Sequence, residues 1–324
     1  MTRRTASLFL VPILLLAACT SQPNSSADGE SSASVSPAAT PVTSPPATPT
    51  PESTPTPEPK ELPNGGRVLF PNYRLCGFVG YPGAEGQGRL GIGDVNERMI
   101  ELHDACAPYA LDRPIMPVME LIATTVHPVP GPDGMWRGRT EPAIIDYWLE
   151  VARQNNAILL LDIQPGQASF IDEVRALEPY LAEPDVGVAL DPEWAMAPGQ
   201  IPMDSFGSTS GEELDEVATY LSNLVEERQL PDKVMVYHVL HPEIITNEEA
   251  LQPHPGVALV KSADGIGSPG AKVDTYNRVA GSIPPGAEMG FKLFYEEDVD
   301  TSGILMTPDE VMALTPTPSY IMYE

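Results

Sequence analysis

The sequence predicts an α/β domain of the (β/α)8, TIM-like barrel type that lacks the final helix and follows a signal peptide and a disordered Pro/Thr/Ser tether. Three observations lead there. First, residues 157–194 read as strand, loop, helix, loop and strand. The run Ile158-Leu159-Leu160-Leu161-Asp162-Ile163-Gln164 stops at Pro165-Gly166, and Gly187-Val188-Ala189-Leu190-Asp191 runs on into Pro192-Glu193-Trp194. Second, near-continuous apolar strands joined by a helix imply a parallel sheet covered on both faces, with its chemistry at the strands' carboxyl ends. Third, the unit recurs until eight strand-like runs fill about 250 residues, the arithmetic of a barrel. A doubly wound open sheet is the structural alternative, but it normally has fewer strands and a phosphate-binding first loop.

The domains are expected at 1–18, 19–64 and 65–324. Thr2-Arg3-Arg4, an apolar run over 8–16 and Ala17-Ala18-Cys19 make the charged, apolar and small-residue regions of an export signal. That apolar run is too short to span a bilayer as a helix. Leu16-Ala17-Ala18-Cys19 resembles a bacterial lipobox, which implies cleavage before Cys19, acylation of its thiol and a protein held extracytoplasmically on the cell membrane. A plain signal peptide with an incidental cysteine is the alternative. Residues 19–64 are Ser, Thr, Pro and Ala with scattered acids, too poor in apolar side chains to offset the entropy of ordering. What remains is the size of one barrel domain.

The formal charge of -27 argues against nucleic acid and anionic lipid surfaces as partners. Cys76 and Cys106 remain in a compartment where disulfides persist; a structural bridge is favoured over two buried thiols. Neither sits at a strand's carboxyl end, which argues against a catalytic thiol.

Taken in order, the first strand covers 75–80, and the Gly-rich loop over 81–88 lacks the spacing and lysine of a phosphate loop. Asp94 is placed to cap a helix over 95–107. A second strand over 115–121 ends near Glu120 and is followed by a long Pro/Gly loop. The next helix covers 142–154, striped by Ile144, Ile145, Trp148 and Val151. Strands three and four flank an amphipathic helix over 170–181, with Asp172, Glu173, Arg175 and Glu178 on its polar face. After a loop over 195–209, Ser210 and Glu213 form a capping box for a helix over 212–228. Strand five covers 234–239, and strand six covers 256–260 and runs into Lys261 and Asp264. A short helix covers 273–280 and strand seven covers 289–295. Thr307-Pro308-Asp309-Glu310 opens the last helix, and strand eight covers 319–323.

Side chains two apart on a strand share a face, so Asp162 goes with Gln164 and Asp191 with Glu193, and Lys292 and Glu296, four apart, share a face as well. The expected mouth gathers Glu120, Asp162, Asp191, Glu193, His238, Lys261, Asp264, Lys292 and Glu296. Burying so many charges is costly unless they pair or bind a ligand. No His-x-His marks a metal hydrolase and no Gly-x-Ser-x-Gly marks a serine hydrolase, so no metal and no cofactor is expected. Two carboxylates on facing strands are what glycoside hydrolysis requires.

Glu193 after strand four and Glu296 after strand seven resemble the acid/base and nucleophile of the retaining-glycosidase barrels. Asp191-Pro192-Glu193 also resembles the strand-four ending of chitinase-like and muramidase-like barrels, in which the Glu is the acid and the Asp supports it. These resemblances imply a glycoside hydrolase with Glu193 as acid and Asp191 or Glu296 as its partner. Substrate contacts are expected from Glu120, Asp162, Gln164, Trp194, His238, Asp264, Lys292 and Tyr295, with a glycan or other cell-wall component as partner. A non-catalytic wall-binding protein is the alternative, and a lyase using Lys292 or Lys261 a weaker one. The runs Asp162-Ile163-Gln164-Pro165-Gly166, Leu190-Asp191-Pro192-Glu193-Trp194 and Gly290-Phe291-Lys292-Leu293-Phe294-Tyr295-Glu296-Glu297-Asp298 resemble a family of exported actinobacterial lipoproteins and cell-wall-associated proteins. That resemblance implies location and fold.

Overall fold

A ring of eight parallel strands forms the centre: β1 (Arg74–Gly80), β2 (Ile115–Val126), β3 (Ile158–Ile163), β4 (Val186–Leu190), β5 (Lys233–Val239), β6 (Val257–Ala263), β7 (Glu288–Leu293) and β8 (Tyr320–Tyr323). Each pairs with the next, and β1 pairs with both β2 and β8, which closes the sheet. The domain is therefore a (β/α)8 barrel and not an open sheet. These features come from a computed structural model that describes residues 59–324. The export signal, Cys19 and nearly all of the expected tether lie outside the described residues. Among the described residues, no helix is long and apolar enough to cross a membrane.

The helices follow the strands. They are α1 (Val95–Cys106), α2 (Pro142–Gln154), α3 (Phe170–Ala176), α4 (Glu178–Leu181), α5 (Gly211–Arg228), α6 (Pro269–Val279), α7 (Glu297–Ser302) and α8 (Pro308–Met312). Asp94 accepts a hydrogen bond from Asn96 N and caps α1. Thr307 and Glu310 form a reciprocal capping box on α8. The expected helix over 170–181 is instead α3 and α4, because Pro179 in the first turn of α4 cannot continue the preceding hydrogen-bond ladder. Ser210 caps α5 through Glu213 N, but the Glu213 carboxylate turns to Thr209 Oγ1 and Phe170 N, so the box is only half made.

Two cores sit on the two faces of the ring. Between strands and helices pack Phe78, Met99, Leu102, Trp148, Phe170, Leu221 and Phe291. Inside the ring, Leu75, Val79, Met116, Val118, Leu160, Val236 and Val260 pack with Leu62 and Leu69. Leu62 is buried there, so the ordered domain takes in residues before the expected boundary at 65. Cys76 on β1 and Cys106 ending α1 are joined by a disulfide with Cα atoms 5.7 Å apart. Gly290 makes room for a ring: a Cβ there would stand 2.8 Å from Tyr320.

Strand β2 runs five residues beyond its expected end, and its tip Thr124–Val126 pairs antiparallel with Arg137–Arg139. Glu173, expected on the solvent face of its helix, is fully buried and accepts from Arg137 and Arg139. The Pro/Gly loop is thereby pinned to α3.

Candidate functional site

At the carboxyl ends of the strands lies a cavity of about 320 Å³. Asp162 and Gln164 from the end of β3, Asp191 and Glu193 after β4, Asp264 after β6 and Lys292 on β7 line it. Glu120 on β2 and His238 on β5 lie beneath, completely buried. These side chains converge because each stands on the inward face of its strand, in step with inner-core residues such as Val118, Leu160, Ala189, Val236 and Val260. Gln164 Nε2 donates to Asp191 Oδ2 at 3.2 Å, and Val126 N donates to Gln164 Oε1 at 3.2 Å, so Gln164 ties Asp191 to the tip of β2.

His238 stands at the centre of the charges. Its Nε2 lies 3.3 Å from Glu120 Oε1 and its Nδ1 lies 3.4 Å from Asp264 Oδ1. The Tyr320 hydroxyl donates to Glu120 Oε2. Lys292 Nζ lies 3.5 Å from Asp264 Oδ2 and 2.6 Å from Glu324 Oε2. A band of ionic contacts thus crosses the barrel from β2 to β8.

The carboxyls divide into two kinds. Against burial, Lys292 and His238 hold Asp264 down at about 2. Burial also opposes ionisation of Glu120, but His238, Lys292 and the Tyr320 hydroxyl outweigh it and keep that group below its ordinary value. On the other side, burial and the Asp191 and Glu120 charges push Asp162 well up. Burial, Asp191 and Asp264 do the same to Glu193. Burial pushes Asp191 up to about 6, with His238 and Lys292 limiting the rise. Against burial, Asp264 and Glu120 raise His238 well above the ordinary imidazole value, and Asp264 and Glu324 raise Lys292. Carboxyls pushed up and carboxyls held down therefore sit in one buried cluster, the separation that acid–base chemistry uses. Asp162 Oδ1 and Glu193 Oε2 are buried without a hydrogen-bond partner.

Asp162, Asp191 and His238 each bring one nitrogen or oxygen within 4.8 Å of the others, a spacing at which a cation can be held. The imidazole, however, is already flanked by Glu120 and Asp264, and Lys292 adds a second positive charge. The arrangement reads as a proton-holding network.

Three expected members fall elsewhere. Glu296 is exposed at the N-terminus of α7 and does not line the cavity, because β7 ends at Leu293 and the chain turns outward before reaching it. Tyr295 stacks on Tyr323 with ring centroids 5.1 Å apart and meets Phe78 edge-on, outside the ring. Lys261 is one residue out of phase with Val260 and Ser262, so it points away from the barrel and pairs with Glu248 at 2.7 Å. Lys292 is held in ion pairs, which leaves no neutral amine for a Schiff base.

Tyr320, which donates to Glu120, and Glu324, which pairs with Lys292, belong to the site although strand-end carboxylates alone do not reveal them. Their signal is the alternation Tyr320, Met322, Glu324, which runs along β8 and one residue past its end. At the rim, Trp194 meets Phe206 edge-on at 6.1 Å, and Phe206 and Met203 are 55% and 63% exposed. No protein-family model matches this chain, and no curated protein is significantly similar to it.

Proposed function

We propose that this protein is a glycoside hydrolase of the cell envelope, anchored through a lipid on Cys19 and acting on an envelope or environmental glycan. One observation carries the reading. Glu193, only 5% exposed, lines the barrel's cavity and holds a buried carboxyl oxygen without a hydrogen-bond partner, two residues after Asp191, which lines the same space. In that position Glu193 protonates the leaving oxygen, and the Asp191 carboxylate supports the positive charge that develops on the sugar. Trp194, Phe206 and Met203 offer the apolar rim on which a sugar ring packs. The lipobox-like Leu16-Ala17-Ala18-Cys19 and the resemblance to exported actinobacterial lipoproteins support the location.

The test is Glu193→Gln in the full chain against a panel of linear glycans. Turnover is expected to fall by about 10²–10⁴-fold while affinity is retained. Unchanged turnover would remove Glu193 from the chemistry. The exposed Phe206 and Met203 also favour a second reading, a barrel that binds a wall glycan without cutting it. In that case wild type and variant bind alike and neither releases new reducing ends. Loss of acyl labelling in Cys19→Ala, with release of the protein from membranes, tests the anchor.

A further inference from the structure

The cavity beside Glu193 does not stand alone. A second cavity of about 160 Å³, lined by Glu85, Arg89 and Glu296, shares Gly86 and Glu324 with it. A third of about 360 Å³, lined by Tyr81, His127 and Arg139, shares Gln87, Thr125 and Val126 with it. The turn after β1 supplies residues to all three, with Gly86 facing one junction and Gln87 the other. The acids sit where two arms meet.

From this we infer that the substrate is a linear polymer bound through an internal stretch and cut at an internal bond, which deepens the glycoside-hydrolase reading and rests on it. A site that trims chain ends needs one arm and a closed wall. Here a further cavity adjoins the one that holds Glu193 on each side of the turn after β1, sharing lining residues with it. Because both arms flank the same turn, a chain occupying both must bend at the central cavity, where a distorted sugar ring is wanted. Glu296, too exposed to be the nucleophile, gains a place as a hydrogen-bonding group in one arm. In the cut itself the internal C–O bond breaks and Glu193 gives its proton to the leaving oxygen. Water supplies hydroxide to the anomeric carbon and its second proton restores the carboxyl.

Full-length Glu193→Gln, Glu193→Gln/Gly86→Trp and Glu193→Gln/Gln87→Trp are titrated with cello-, xylo-, manno- and chito-oligosaccharides from dimer to octamer. A Cβ at Gly86 meets nothing within 4 Å, so an indole placed beside the junction displaces no backbone or core atom at its Cβ. For at least one series, affinity should rise about three- to tenfold per added ring, the worth of one or two net hydrogen bonds. Each tryptophan should cancel the gain from one arm. Affinity that saturates at the dimer, tryptophans that leave the length dependence unchanged, or no binding by any series overturns the inference. So does wild-type protein that releases only terminal units. Length-dependent binding with no cleavage of that series keeps the two-armed cleft and removes the hydrolase reading instead.

Discussion

Glu324 Oε2 lies 2.6 Å from Lys292 Nζ, and the same ammonium lies 3.5 Å from Asp264, so one cation neutralises two carboxylates from different strands. Removing one partner of a buried pair strands the others. Lys292→Met keeps most of the volume and removes the charge. It should cost about 3–5 kcal/mol at neutral pH. Urea denaturation at pH 7 checks this, and an unchanged midpoint would show that water already screens the group.

The pH dependence of stability has a defined sign. Asp191 carries a folded pKa near 6, above its ordinary carboxylate value, so between about 4 and 6 the folded state holds the extra proton. Stability therefore falls as pH rises through that window. Asp191→Asn removes this loss: the variant should be more stable than wild type at pH 7 and should lose that advantage below about pH 4. Asp264, held at about 2, acts oppositely, and its contribution disappears as pH drops toward that value. Thermal midpoints across pH 3–8 for the two proteins give the comparison. In the same variant, hydrolysis should collapse at every pH.

The Cys76–Cys106 bridge closes a loop with a sequence separation of 30. Chain-entropy arithmetic for such a loop gives about 3–4 kcal/mol. Replacing both cysteines with alanine should lower unfolding stability by that amount. Wild type in reductant should approach the double variant in denaturant melts, and a variant as stable as oxidised wild type would refute the estimate.

Glu173 is buried beneath Arg137 and Arg139, with nitrogen–oxygen distances of 2.8 and 2.7 Å. Glu173→Leu leaves Arg137 with only the half-exposed Asp133 carboxylate at 2.6 Å and frees the 124–139 hairpin from α3. We expect a loss of about 3–5 kcal/mol, together with faster amide exchange at Thr140 and Gln167, whose N–H groups donate to this region. Exchange confined to its wild-type rate would show that the hairpin holds itself.

Much of the site was legible because strand parity is local. A period of two puts Asp162, Asp191 and His238 on the inward face as soon as one apolar neighbour on each strand is known to be inside, and Lys292 there with Gly290, whose Cβ would meet Tyr320. Lys261 was misplaced by ignoring that rule across a strand end: strand six extends to Ala263, so Ser262 and Asp264 point in and Lys261 points out. Glu296 failed for a different reason. A strand's last residue depends on where its neighbour stops pairing, and β8 ends beside Leu293.

What the sequence determined by itself was the repeating strand–helix alternation, the inward set of charges on each strand and the cysteines available for bridging, because these follow from periodicity and composition within a short window. The tertiary structure alone decided which charges meet. His238 lies between Glu120 and Asp264, Tyr320 reaches Glu120 from 200 positions away in the chain, and Glu324 completes the pair with Lys292. Those contacts depend on ring closure between β1, β2 and β8, and on the burial that sets each carboxyl's proton, quantities that exist only once distant segments share one interior.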